Sequence, residues 1–113
     1  MTTLERAIAT YGVDMQLTVA VEEFSELTKE ICKCKRGADN IESIVEEMAD
    51  CYIMLKQMEI IFDIDHDDLN EMVKNKIGRL GKRLAEGAET CVVCGEIIPE
   101  GRQVCPMCEM ERV

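Results

Sequence analysis

Two short stretches carry acids at a spacing that chemistry can use. The run 19-VAVEEFSEL-27 holds Glu22, Glu23 and Glu26, and 46-EEMAD-50 holds Glu46, Glu47 and Asp50. Glu23 and Glu26 are three residues apart, as are Glu47 and Asp50, so on helices each pair projects from one side of its own helix. Oxygen-only ligands on rigid helices suit a hard cation, Mg²⁺ or Mn²⁺, which keeps some of its water and reaches out to substrate phosphates. One such run alone is an ordinary wet helix surface: on a helical wheel Glu22 and Glu26 lie almost opposite the apolar stripe of their helix. Two runs brought to matched heights are different, and the surrounding elements decide whether they match.

Thr2 with Glu5 has the form of a capping box, and Leu4, Ala7, Ile8 and Tyr11 keep helical spacing until Gly12 stops a short first helix. Asp14 is then the expected cap of a second helix, whose stripe is Leu17, Ala20, Val21, Phe24, Leu27, Thr28 and Ile31 and which runs to Arg36 before Gly37. Asp39 with Glu42 reads as the next cap. The third helix carries Ile41, Ile44, Val45, Met48, Cys51, Tyr52 and Leu55. With Ile53, Met54, Met58, Ile60, Ile61 and Phe62 its later half is apolar nearly all round, which predicts deep burial. After the acidic turn 63-DIDHDD-68 comes a fourth helix bearing Leu69, Met72, Val73, Ile77, Leu80 and Leu84. Gly78 and Gly81 weaken it by about 1 kcal/mol each.

The expected fold is therefore all-α, a four-helix bundle over residues 1–88. If the second and third helices form an antiparallel hairpin turning at Arg36–Gly37, Glu23 faces Asp50 and Glu26 faces Glu47. Val19 opposite Met54 and Met15 opposite Met58 then give the acids an apolar floor. Two carboxylates about 4 Å apart repel by roughly 4 kcal/mol at an effective dielectric near 20, so a cluster of four calls for a cation among them. Glu22 stands where it can orient or deprotonate a water, and Glu46 is expected to be solvated.

The pattern EExxE, a linker, then ExxD, here 22-EEFSE-26, twenty residues, and 47-EMAD-50, resembles the metal-binding signature of the MazG-like all-α nucleoside triphosphate pyrophosphohydrolases. The resemblance covers roughly residues 14–85. It implies a four-helix module, a homodimer or homotetramer, that hydrolyses a nucleoside triphosphate to the monophosphate and pyrophosphate. By motif position it implies Glu23, Glu26, Glu47 and Asp50 as Mg²⁺ ligands and Glu22 as the residue that assists the attacking water. The residue types agree, because a bound divalent ion can activate water and neutralise phosphate without a Ser, Cys or His nucleophile. The single His, His66, sits in the acidic turn and is read as a surface or capping residue. A diiron carboxylate bundle needs a Glu-x-x-His from each of two helices, and neither is present.

Phosphates need positive partners. Lys76, Arg79 and Arg83 fall at i, i+3 and i+7 on the fourth helix, in one row beside its apolar stripe, whereas Lys74 and Lys82 point elsewhere. They are the expected substrate-binding residues, although a basic helix end also complements the macrodipole. Lys33, Lys35 and Arg36 are read only in that second sense. Tyr11, Phe24, Tyr52 and Phe62 are read as core, so no aromatic is assigned to a base.

Beyond Gly87 the helical period ends. Cys91, Cys94, Cys105 and Cys108 form two CxxC pairs with ten residues between them and 99-PEG-101 in the loop. That spacing predicts a closed tetrahedral Zn²⁺ site in a small four-cysteine zinc ribbon over 89–113, whose folding energy comes largely from the metal. The ribbon carries five Glu against two Arg, which argues against binding along a nucleic-acid backbone. Cys51 is read as core, and Cys32 and Cys34 as reduced thiols near a helix end.

Whole-chain composition fits this organisation. The 113 residues are 47% hydrophobic and 32% charged, a globular balance, with only 4% aromatics and eight Met, as in packed helices. The formal charge of −10 argues against broad phosphate-backbone binding and makes a cation the more natural partner. The N-terminus MTTLERAIATYG lacks a signal-peptide core, and no apolar run is long enough for a membrane span. A cytoplasmic protein with reduced cysteines is expected. From another functional class, the rival is a helical dimerisation or adaptor protein whose zinc ribbon binds a protein or nucleic acid and whose acids merely solvate it.

Overall fold

Glycine and its neighbours divide the helices. The computed structural model describes residues 1–87, 89–90, 94, 96–99 and 106–111, without the side chains of Glu89, Cys108, Glu109 and Glu111. Helix α1 (Thr3–Tyr11) opens on the anticipated capping box: Glu5 N–H donates to Thr2 Oγ1 and Thr2 N–H donates to Glu5 Oε1. Gly12, at φ +92°, closes α1 and starts α2 (Val13–Lys35) directly. Asp14 is thus not the cap. It lies within the first turn of α2, where its charge meets the positive end of the helix.

Helix α2 ends in a Schellman motif. Gly37, at φ +98°, donates to the Cys34 carbonyl, and Ala38 donates to that of Lys33. Helix α3 (Ile41–Ile61) follows after a short turn. Its cap is Asn40 rather than Asp39, and the Asn40 side chain does not serve the helix end. Its Nδ2 instead reaches back to α2, donating to the Glu30 carbonyl at 3.0 Å and to the Glu30 carboxylate at 2.5 Å. A link between residues ten apart has displaced the local cap.

The principal packing is α2 against α3, antiparallel, with α1 laid against both. Cross-contacts at Gln16–Gln57, Glu23–Cys51 and Glu30–Asn40 fix the direction and the register. Ala20, Cys51 and Met54 are buried there together with Gln16 and Gln57.

The expected deep burial of the later half of α3 is not found. Ile53, Leu55, Ile60 and Phe62 are all exposed, because α2 covers only one face of α3 and α1 touches little more. Tyr11, Tyr52 and Phe62 are likewise exposed, so of the four aromatics read as core only Phe24 is half-buried.

Helix α4 (His66–Glu86) runs unbroken through Gly78 and Gly81. The chain divides into two units, Met1–His66 and Asp67–Val113, so the division falls at the start of α4, earlier than the change of composition near Gly87. The second unit also contains an antiparallel pair of two-residue strands, β1 (Glu89–Thr90) and β2 (Ile97–Ile98), and the short helix α5 (Pro106–Glu111). Four long helices make the fold all-α. Among the described residues, no helix is long and apolar enough to cross a membrane.

Candidate metal centre

The hairpin register brings three of the four anticipated acids together. Glu23 from α2 and Glu47 and Asp50 from α3 each offer a carboxylate oxygen, and these atoms lie within 4.8 Å of one another. All three residues are half-buried. The Cys51 thiol donates to the Glu23 carbonyl at 3.4 Å, pinning this turn of α2 to α3 at the level of the acids. Met54 is buried and Val19 half-buried beside them, while Met15 stays exposed.

The electrostatics of the trio are strained. Desolvation holds the Glu23 carboxyl above its ordinary range, aided by the charge of Asp50, a hydrogen bond with it, and the charges of Glu47 and Glu22. Glu47 is raised in the same way, by desolvation and then by Asp50, Glu26, Glu30 and Glu46. Glu47 Oε2 is shielded from solvent and has no hydrogen-bond partner. An unpaired buried carboxylate oxygen is costly unless a cation or proton satisfies it. The Lys33–Glu30 ion pair and the His66–Glu59 contact engage other acids. The Cys51 thiol is pushed up by burial and then by the charges of Glu23, Glu47 and Asp50, so it lines the site as a neutral group.

Glu26 is exposed and stands outside the trio, acting on Glu47 through its charge alone. Glu22 and Glu46 are also exposed, on the rim. Glu30 was not among the acids anticipated from sequence. It lies on the same side of α2 as Glu23 and Glu26, four residues beyond the latter, and that spacing was the available signal. Glu30 adds to the negative field at Glu47, while the Asn40 hydrogen bond, and secondarily Lys33, hold its own carboxyl below the ordinary range.

Lys76 and Arg79 are exposed and Arg83 is half-buried, along one row of α4 in the second unit. His66 is the first residue of α4, with Nδ1 2.8 Å from Glu59 Oε1, a surface role as anticipated. Cys32 and Cys34 are free and exposed, and Cys51 is buried. Of the cysteine tetrad, Cys94 lies in an exposed turn and Cys108 falls within α5, whereas Cys91 and Cys105 lie outside the described residues.

No protein-family model, curated protein or solved structure matches this chain. The donor set fits a hard divalent cation: three carboxylates at ligating proximity, one of them with a buried oxygen lacking any partner, and no nitrogen or sulfur ligand among them.

Proposed function

We propose that this chain is a Mg²⁺- or Mn²⁺-dependent nucleoside triphosphate pyrophosphohydrolase of MazG-like type. The observation that carries the reading is the convergence of Glu23, Glu47 and Asp50, with the Glu47 Oε2 atom buried and unpartnered. In this reading the three hold the cation, and Glu26 completes the set on the exposed side, directly or through a water. A divalent ion there would neutralise phosphate charge and lower the pKa of a bound water. Glu22, on the rim beside Glu23, would take the proton from a water attacking the α-phosphorus, the anhydride bond to the β-phosphate breaking to release pyrophosphate and the nucleoside monophosphate. Lys76, Arg79 and Arg83 bind the phosphates, Arg by bidentate hydrogen bonds and Lys as a point charge.

The same reading includes a homodimer or homotetramer in a cytoplasmic, reducing setting. It also includes a structural Zn²⁺ held by Cys91, Cys94, Cys105 and Cys108. The hairpin β1–β2, flanking Cys91 and Cys94, fits the strand pairing of a ribbon.

The test is pyrophosphate release from a panel of canonical and modified nucleoside triphosphates, with Mg²⁺ and with chelator. Metal-dependent release that Glu47→Gln and Asp50→Asn abolish supports the reading. A folded protein that binds Mg²⁺ or Mn²⁺ and releases no pyrophosphate from any substrate refutes the hydrolase and leaves a metal-binding adaptor.

A further inference from the structure

Helix α3 carries a second apolar stripe that α2 does not cover. Ile41, Val45, Met48, Tyr52 and Leu55 follow one another at alternating steps of four and three residues, and all are 43–63% exposed. Cys51, Met54 and Gln57, by contrast, form the face buried towards α2. Alternation of four and three is the period of a helix–helix seam, in which each side chain enters a hole on a facing helix. Ordinary surface helices do not place five large apolar side chains in such a row.

We propose that this stripe is the contact with a second copy of the chain, the two α3 helices packing antiparallel about a twofold axis at Ala49. Three features of the sequence on α3 favour a copy of itself over any other partner. The stripe spans 41–55, with its middle one residue from Ala49, so a reversed helix overlays nearly its whole length. Along one flank of the stripe Glu42, Ala49 and Lys56 recur at seven-residue intervals. Reversal about Ala49 sets Glu42 against Lys56 of the second copy, and the symmetry makes that opposite-charge pair twice. It also sets Ala49 against its own counterpart, the smallest side chain of the row at the point of closest approach. The exposed parts of the five side chains, from both copies, amount to on the order of 1,000 Å², at the lower bound for a specific interface before the flanks are added.

This gives the homo-oligomer of the proposed function a surface and a register, and it stands whether or not the protein is a hydrolase. The competing occupant is α4, whose own apolar row of Leu69, Val73, Leu80 and Leu84 is exposed. Glu42 and Lys56 are fourteen residues apart on one helix, too far to meet within a chain, so their coupling reports a second copy alone.

The experiment is sedimentation equilibrium of the full-length protein as wild type, Glu42→Lys, Lys56→Glu and the double variant, with helicity checked by circular dichroism. Each single change creates two like-charge pairs and is expected to weaken self-association roughly tenfold. The double change restores opposite charges and is expected to return the dissociation constant to near the wild-type value. Tyr52→Glu, in the middle of the seam, is expected to leave a folded protein that no longer associates through this face. A wild type that stays monomeric, single variants that associate as wild type does, or a double variant as weak as the sum of its parts would each overturn the proposal.

Discussion

Gln16 Nε2 donates a 2.7 Å hydrogen bond to Gln57 Oε1, and both side chains are buried between α2 and α3. This polar pair fixes how far α2 slides along α3, because a slip by a helical turn leaves two amides facing apolar groups. The same register sets Glu23 beside Asp50 two turns further along α2. The pair thus acts as a gauge for the metal centre, with a measurable cost. Gln57→Leu strands the Gln16 amide and is expected to destabilise the first unit by about 1–3 kcal/mol in urea unfolding. Gln16→Leu combined with Gln57→Leu is expected to recover most of that loss while weakening metal affinity, since the register is then held less firmly. Additive losses in the double variant would sink this account.

The fold was legible from sequence where local signals and long-range packing agree. Gly12 and Gly37 stop their helices through positive φ, and the turn placed at Arg36–Gly37 sets the antiparallel hairpin and hence three of the four acids. It was not legible where long-range contacts override local ones. Asn40 is drawn off its cap by Glu30, Gln16 and Gln57 sit in a core that amphipathic patterning reserves for hydrocarbon, and Glu26 stays exposed although it is nominally opposite Glu47. The exposure of Tyr52, Ile53, Leu55 and Phe62 has a different cause: an apolar helix face shows that something must cover it, not that the cover belongs to the same chain.

Lys76, Arg79 and Arg83 share a row of α4, and Lys82 faces elsewhere. If that row holds the phosphates, Ala substitution at each of the three is expected to lower kcat/KM by roughly ten- to a hundredfold, the worth of a charge-assisted hydrogen bond. Lys82→Ala is expected to leave it within about twofold. Steady-state kinetics at several ionic strengths separates direct contact from general attraction, because the latter fades with salt whereas a bound pair persists.

Cys91, Cys94, Cys105 and Cys108 are expected to bind one Zn²⁺ per chain, measurable by elemental analysis of protein purified without added metal. Cys91→Ser or Cys105→Ser is expected to remove the zinc and render residues 89–113 protease-sensitive. The α2–α3 hairpin, which shares no ligand with that site, should keep its urea midpoint. Zinc that survives both substitutions would contradict the tetrad.

The metal centre has a pH signature of definite sign. Glu23 and Glu47 are raised in the folded chain, so the fold favours their protonated forms. In the absence of metal their contribution is neutral below the ordinary carboxylate range and becomes destabilising as pH rises through the folded values. Glu5 and Glu30 are lowered and act oppositely, their stabilisation disappearing as pH falls, so the wild-type curve alone is ambiguous. The difference between Glu47→Gln and wild type cancels Glu5 and Glu30 and leaves Glu47 with its coupling to Glu23. In chelator the variant is expected to gain on wild type progressively as pH rises above the ordinary carboxylate range, because glutamine mimics the neutral carboxyl that the fold favours. Addition of Mn²⁺ reverses the order: wild type gains about 2.7 kcal/mol at a hundred times its dissociation constant, and the variant gains little. Thermal denaturation across pH, with and without Mn²⁺, reads both effects. A wild type indifferent to Mn²⁺ at pH 7, or a Glu47→Gln variant less stable than wild type in chelator there, would mean that no cation belongs among these carboxylates.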